Sequence, residues 1–158
     1  MQIKRNALDV IEAVVSLLCL IGIPIYLVLM WQTIPDQVPG HYGITGVVDR
    51  WGSKSELLLV PILSWVLFGL VSLVERNPKD WNTGVAVTEE NQVRVYRTLK
   101  NMIAVVKMLV LVLFASLTVN TSLCQNLPVW FIIVFLGAVF GTIAFFKRQL
   151  SQMAQEPS

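Results

Sequence analysis

Four long apolar runs, separated by polar segments, dominate the pattern of hydrophobic and polar positions along this chain. A helix that crosses the hydrocarbon core of a bilayer needs about 20 mostly apolar residues. Lipid offers no hydrogen-bond partner to an open backbone, so such runs are expected to be helical. The pattern predicts four membrane-spanning helices, at residues 13–31, 57–74, 102–119 and 127–146.

Composition strengthens this interpretation. Of the 158 residues, 55% are hydrophobic and 14% are charged, and the mean hydropathy is +0.67, whereas soluble domains are about 25% charged. No repeat or linker divides the chain, so we expect one integral membrane domain over residues 1–158. The expected fold class is an all-α membrane protein, a four-transmembrane-helix bundle with a turn-rich extracellular cap between the first two helices.

Basic residues flank these spans unevenly. Nine of them lie at the two ends of the chain and between the second and third spans, namely Lys4, Arg5, Arg76, Lys79, Arg94, Arg97, Lys100, Lys147 and Arg148. The segment between the first two spans holds only Arg50 and Lys54. Because lysine and arginine next to membrane spans stay on the cytoplasmic side, both termini are predicted to be cytoplasmic, in a cell membrane.

The outward segment at 32–56 is rich in proline and glycine, which fix or widen the backbone angles available to turns. We therefore expect an ordered, turn-rich cap over the outer mouth of the bundle, with Asp49–Arg50 and Lys54–Glu56 as local ion pairs or solvated charges. Its candidate ligand-binding residues are Pro35, Asp36, Pro39, His41, Gly46, Asp49 and Lys54.

His41 is the single histidine of the chain, and two roles are open for it. Imidazole and nearby carboxylates could bind a divalent metal, although the sequence has no HxxxH, no HExxH and no paired cysteines. The alternative is a hydrogen bond from His41 to a carboxylate or a backbone carbonyl that orders the cap. We expect this second role, and we expect no metal and no cofactor.

The pattern of the outward segment resembles the bacterial membrane family called domain of unknown function 1648, from about Leu20 to Val74. Seven residues carry the resemblance: Pro35, Pro39, His41, Gly46, Asp49, Gly52 and Lys54. The polar segment at 77–91 is similar to the second polar loop of the same family. The family includes immunity proteins against a secreted sporulation-delay toxin, and one such member is also a receptor that holds a transcriptional repressor. We expect this shorter chain to lack the additional C-terminal helices of those members.

Lys107 interrupts the third apolar run, and an ionisable side chain inside a bilayer is a functional candidate. It lies close enough to the cytoplasmic end for its four-carbon stem to reach the headgroups. The alternative is that Lys107 points into the bundle and pairs with Glu12, which enters the first helix from the same side. Both placements are open from the sequence.

The cytoplasmic loop between the second and third spans is a candidate docking surface for a cytoplasmic regulator. Its candidate residues are Asn77, Pro78, Asn82, Glu90 and Asn91. Thr88 is expected to cap the helix that follows, because a threonine before acidic residues is a common helix start.

No catalytic motif stands out, since the chain has no GxSxG, no P-loop and no glycine-rich dinucleotide turn. We therefore expect a non-enzymatic binding, immunity or sensor protein that recognises an extracellular peptide, toxin or small ligand through the outward segment. The alternative is a small transporter, or an accessory subunit of one, that works as a homo-oligomer. The low net charge of +2 and the absence of a basic run exclude a nucleic-acid-binding arm.

Overall fold

The computed structural model describes residues 4–155. Four long helices run up and down through it: α1 (Ala7–Met30), α2 (Leu59–Arg76), α3 (Gln92–Ser122) and α4 (Val129–Gln155). Each is long and apolar enough to cross a membrane, which confirms the four predicted helices. The first three and last three residues of the predicted single domain lie outside the described part.

The helices extend beyond the predicted spans on one side of the bundle, where both described chain ends and the α2–α3 loop lie. We call this the terminal side. α3 begins at Gln92 instead of residue 102, and α4 continues to Gln155 instead of 146. The reason is physical: charged residues end an apolar window, but they do not interrupt the backbone hydrogen bonds of a helix.

α3 is the central helix, because it packs against α1, α2 and α4, whereas α1 and α2 contact each other only slightly. Its buried residues include Ala104, Lys107, Leu111 and Thr118, which are spaced so that they fall on one helical stripe. The most apolar window of α4 has no buried residue, so this helix presents most of its surface outward.

The segment between α1 and α2 contains an antiparallel hairpin, and this corrects the expectation of an all-α protein, which placed no strand in the turn-rich cap. Strand β1 (Gln37–Tyr42) pairs with β2 (Val48–Ser53), from Gln37 opposite Ser53 to Tyr42 opposite Val48. The register shifts around His41. A bulged two-stranded hairpin accepts proline and glycine, because neither strand needs every amide in the ladder.

An apolar cluster attaches the hairpin to the bundle. Leu27, Ile34, Val38 and Leu57 are buried together, and Val38 of β1 is fully inaccessible. A short 3₁₀ turn (Lys54–Leu58) then leads from β2 into α2. We call this end of the bundle the hairpin side.

Candidate functional site

The exposed face of the hairpin carries the predicted histidine and a carboxylate as a pair. His41 Nδ1 lies 2.7 Å from Asp49 Oδ1 across the two strands, with side chains 65% and 50% exposed. This is the hydrogen bond to a carboxylate that the sequence suggested as an alternative to a metal site. Within residues 4–155, no group of three or more His, Cys, Asp or Glu side chains is arranged to hold a metal ion.

Asp49–Arg50 and Lys54–Glu56 were predicted to be local ion pairs or solvated charges, and neither of these two ion pairs forms. Arg50 Nη2 pairs with Glu56 Oε2 at 2.9 Å and also donates to the Gly40 carbonyl oxygen at 2.7 Å. Neighbouring residues of a strand point to opposite faces, so Asp49 and Arg50 cannot meet. The hydrogen bond that Arg50 donates to the Glu56 carboxylate raises the pKa of Arg50. Lys54 instead donates to the Ile34 carbonyl oxygen at 2.8 Å.

Three exposed apolar side chains lie on the same hairpin as the His41–Asp49 pair, and sequence reasoning did not single them out. Ile44 at the turn is 96% exposed, while Val47 and Trp51 are 53% and 52% exposed. Predicting a short hairpin here would have identified them, because the tip of the turn and alternate residues of each strand face outward. We call Ile44, Val47, Trp51, His41 and Asp49 the hairpin surface.

Of the other residues predicted to bind a ligand, two serve the fold. Pro39 is buried, and Gly46 packs against the α3–α4 loop. Gly46 has a φ of +77°, and the Leu127 amide donates to its carbonyl oxygen at 2.8 Å. A Cβ at this position would collide with the Leu127 carbonyl oxygen. Pro35 and Asp36 are exposed beside the hairpin.

Neutral hydrogen bonds tie the hairpin to α3 and to the loop after it. The Tyr42 hydroxyl lies 3.1 Å from Thr121 Oγ1 and accepts from Asn120 Nδ2 at 3.2 Å. The Val48 amide donates to Asn126 Oδ1 at 3.0 Å. With the apolar cluster beneath, these contacts hold the hairpin surface in one orientation relative to the helices.

The second predicted site, inside the membrane, is a triad of charges. Lys107 Nζ lies 2.6 Å from Glu75 Oε2 and 3.1 Å from Glu12 Oε1, and its side chain is only 5% exposed. Ser16, which is buried, donates to the same Glu12 oxygen at 2.8 Å. Lys107 therefore points into the bundle and pairs with Glu12, and the alternative in which it reaches the headgroups is wrong.

Sequence reasoning missed Glu75, because the predicted second span ends at Val74 and the next residue was assigned to the loop. In the structure α2 continues to Arg76, so Glu75 stays on the helix and turns inward. The triad consequently joins α1, α2 and α3 through one ammonium group. Glu75 could have been found by allowing the predicted helix to continue one or two residues beyond its apolar run.

A second group of charges lies closer to the terminal side. Asp9 accepts from Arg97 Nη1 and from Lys100 Nζ, both at 2.9 Å, and its side chain is 9% exposed. Asp9 also closes a capping box with Asn6 at the start of α1. A cavity of about 350 Å³ extends between this group and the triad, and Glu12 and Glu75 line it.

The predicted docking residues of the α2–α3 loop divide into exposed and structural ones. Asn77, Asn82 and Glu90 are exposed, and Pro78 opens a 3₁₀ turn (Pro78–Asp80) that is partly exposed. Asn91 is 8% exposed and orders the loop instead, by accepting from the Thr88 amide at 2.9 Å and donating to the Ala86 carbonyl oxygen at 3.2 Å.

Thr88 caps the turn that precedes α3 and not α3 itself. α3 begins at Gln92, with Asn91 at the cap position, and Thr88 Oγ1 accepts from the Asn91 amide at 3.3 Å. Thr88 and Asn91 thus exchange hydrogen bonds in a turn that precedes the helix, where each side chain accepts from the amide of the other residue.

Four apolar helices, a buried charge triad and a small hairpin define an α-helical multi-pass membrane protein. Residues 17–64 match the model of the family called Domain of unknown function (DUF1648). The match confirms the resemblance predicted for the first span and the hairpin. It ends at Ser64, so the likeness of the 77–91 loop stays a prediction.

A relative is also found over most of the chain. The protein is 24% identical, over 151 residues, to an uncharacterized protein of Archaeoglobus fulgidus, and the alignment covers 85% of this chain and 82% of that protein. No solved structure matches.

Proposed function

We propose that this protein is a non-enzymatic membrane protein that recognises an extracellular peptide or small ligand through the hairpin surface, as an immunity or sensor protein would. The observation that supports this most is the exposure of Ile44, Val47 and Trp51 on the same hairpin as the exposed His41–Asp49 pair. Apolar side chains exposed together, next to polar groups, are typical of recognition surfaces, and aromatic residues contribute most of the binding energy there.

The rigid attachment of the hairpin supports the same proposal. Binding costs less when the surface is already ordered, because fewer side chains and loops must be immobilised. The hairpin is held by Val38 below and by Tyr42 and Gly46 at its far end. The apolar side chains of the hairpin surface can therefore stay exposed to water, because the hairpin does not collapse onto the bundle.

Orientation is part of the proposal. The excess of lysine and arginine on the terminal side favours a cytoplasmic location for both termini, with the hairpin outside the cell. In this orientation the exposed α2–α3 loop, with Asn77 and Glu90, is available to a cytoplasmic regulator. The family resemblance to toxin-immunity proteins favours a secreted peptide as the extracellular ligand.

The experiment is site-specific photo-crosslinking in intact cells of the native host. Benzoylphenylalanine replaces Ile44 on the hairpin surface, and Val87 in the α2–α3 loop serves as the control, since it is also an exposed apolar residue. We expect light-dependent adducts with a secreted peptide or small molecule at position 44 and none at position 87. Equal labelling at positions 44 and 87 would contradict the proposal. So would the absence of any adduct when benzoylphenylalanine replaces Ile44, Val47 and Trp51 in turn.

A second candidate function, a small transporter or accessory transporter subunit that works as an oligomer, is favoured by the triad and its cavity. Two carboxylates and one ammonium lie together inside the bundle, where ionisable groups commonly mark ion or substrate paths. The cavity borders Ala13 and Ala104. Towards the hairpin side, the bundle narrows to a void of about 10 Å³ near Ala115.

Cysteine labelling separates the two candidates. In a variant that carries Cys19→Ala and Cys124→Ala, single cysteines at Ala104 and Ala115 are exposed to a membrane-impermeant maleimide from each side in turn. A recognition protein should be labelled at position 104 from the terminal side alone. Labelling of both positions from both sides would favour the transporter instead.

A further inference from the structure

An open groove lies between α1 and α2 in the half of the bundle nearest the hairpin. Its volume is about 590 Å³, within the range of about 300–1,000 Å³ that is typical of ligand pockets. Its lining is almost wholly apolar and includes Pro24, Val28, Trp31, Ile62 and Trp65.

The groove forms because α3 holds α1 and α2 in place, and not a close contact between the two helices. Both helices pack on α3 and contact each other only slightly, which leaves room for a groove between them. Each contributes a proline, Pro24 and Pro61, to the walls. Val28 is 77% exposed and Ile62 is 57% exposed, so the groove opens sideways to the hydrocarbon of the bilayer and not to water. A hydrocarbon chain is the matching occupant.

A cation stands at the mouth of the groove. Lys54 Nζ lies 4.9 Å from the ring centroid of Trp31, which lines the groove, and Leu58, one helical turn further on, lines it as well. The ammonium group donates one hydrogen bond, to the Ile34 carbonyl oxygen. In the described part of the chain, no carboxylate lies within ion-pair distance of it. Two of its three donors are thus available to an anion.

We propose that the groove binds one anionic membrane phospholipid of the hairpin-side leaflet, with a hydrocarbon chain between Val28 and Ile62 and the phosphate at Lys54. An apolar slot with a cation at headgroup depth complements such a lipid in both shape and charge. The lipid is already present at high concentration beside the groove, which favours occupancy by mass action. This site is separate from the hairpin surface and does not depend on the proposed function.

The test uses full-length protein reconstituted in nanodiscs of equimolar phosphatidylcholine and phosphatidylglycerol, released into mild detergent and weighed by native mass spectrometry. We expect wild type to retain one phosphatidylglycerol per chain. Lys54→Gln should lower that retention about fivefold, the effect of one lysine near an anionic surface. Lys54→Arg should restore it, which excludes a mere loss of folding.

A matched pair of valines tests the groove itself. Val28→Trp fills the groove and should abolish retention of the lipid, whereas Val134→Trp should not, because Val134 is a similarly exposed valine on α4, away from the groove. Four results would overturn the proposal: no phosphatidylglycerol on wild type, equal retention of both lipids, no difference between the two valine variants, or a protein dimer that only Val28→Trp dissociates. The last would assign the groove to a helix of a second copy.

Discussion

The two ends of the bundle are stabilised by different chemistry. On the hairpin side, an apolar cluster around Val38 packs the hairpin against α1, and neutral hydrogen bonds at Tyr42 and Gly46 attach it to α3 and the α3–α4 loop. On the terminal side, the contacts that join α1, α2 and α3 are ion pairs, centred on Lys107 and Asp9. The charges that join helices are therefore buried on the terminal side, whereas the His41–Asp49 pair of the hairpin is exposed.

This difference separates structural charges from available ones. A charge in a low-dielectric interior must be compensated, so Lys107 and its carboxylates fix how three helices pack. On the hairpin, His41 and Asp49 are exposed, and the neutral contacts beneath them keep the fold without their help. A mutation in either region should thus affect mainly stability at one end and mainly recognition at the other.

Removing the lysine at the centre of the triad should have the largest effect on stability. Lys107→Met leaves Glu12 and Glu75 close together with no cation, and loss of one partner of a buried ion pair costs about 3–5 kcal/mol. We expect the free energy of unfolding to fall by about that amount. Titration with dodecyl sulfate in mixed micelles, followed by circular dichroism, measures it.

The control removes the whole triad. Glu12→Leu, Lys107→Met and Glu75→Leu together replace all three charges by apolar groups of similar size, and most of the lost stability should return, as it commonly does for such replacements. If Lys107→Met alone were as stable as wild type, the triad would not be what holds α1 and α2 on α3.

A glycine pair tests the hairpin attachment, with a smaller expected effect. Gly46 and Gly84 both have positive φ, +77° and +66°, so alanine should cost about 1–2 kcal/mol at either position. A Cβ at Gly84 meets nothing, whereas at Gly46 it meets the Leu127 carbonyl oxygen. Gly46→Ala should cost at least about 1 kcal/mol more, since the Leu127 hydrogen bond is also lost. The same titration compares them, and equal losses would mean that the hairpin does not depend on this contact.

The terminal side was the more predictable end from the sequence. Lys107 and Glu12 lie at similar depth from the same side of the membrane, which can be read from their positions in the sequence. Their pairing was therefore one of the two placements predicted for Lys107. Glu75 was missed because an apolar window ended one residue before it. Such a window reports hydrophobicity, but a helix ends only where its hydrogen bonds end, and α2 includes Arg76.

The hairpin side was less predictable for a different reason. Its dense prolines and glycines indicated turns, and the strands are short and bulged, so neither has a clear alternation of apolar and polar residues. The contact of Gly46 with Leu127 joins positions far apart in the chain. That packing decides which residues of the segment are buried, such as Pro39, and which are exposed, such as Ile44. The local sequence pattern does not decide it.

The smallest change in stability is expected when the His41–Asp49 pair is mutated. This prediction distinguishes the hairpin side from the terminal side most clearly. Both side chains are at least half exposed, and such surface pairs contribute about 0–1 kcal/mol. His41→Ala and Asp49→Asn should therefore unfold within about 0.5 kcal/mol of wild type, yet under the proposed function each should reduce crosslinking of the ligand at position 44. A large loss of stability would instead place the pair with Lys107 among the structural charges, and the hairpin surface would lose its main distinction from the terminal side.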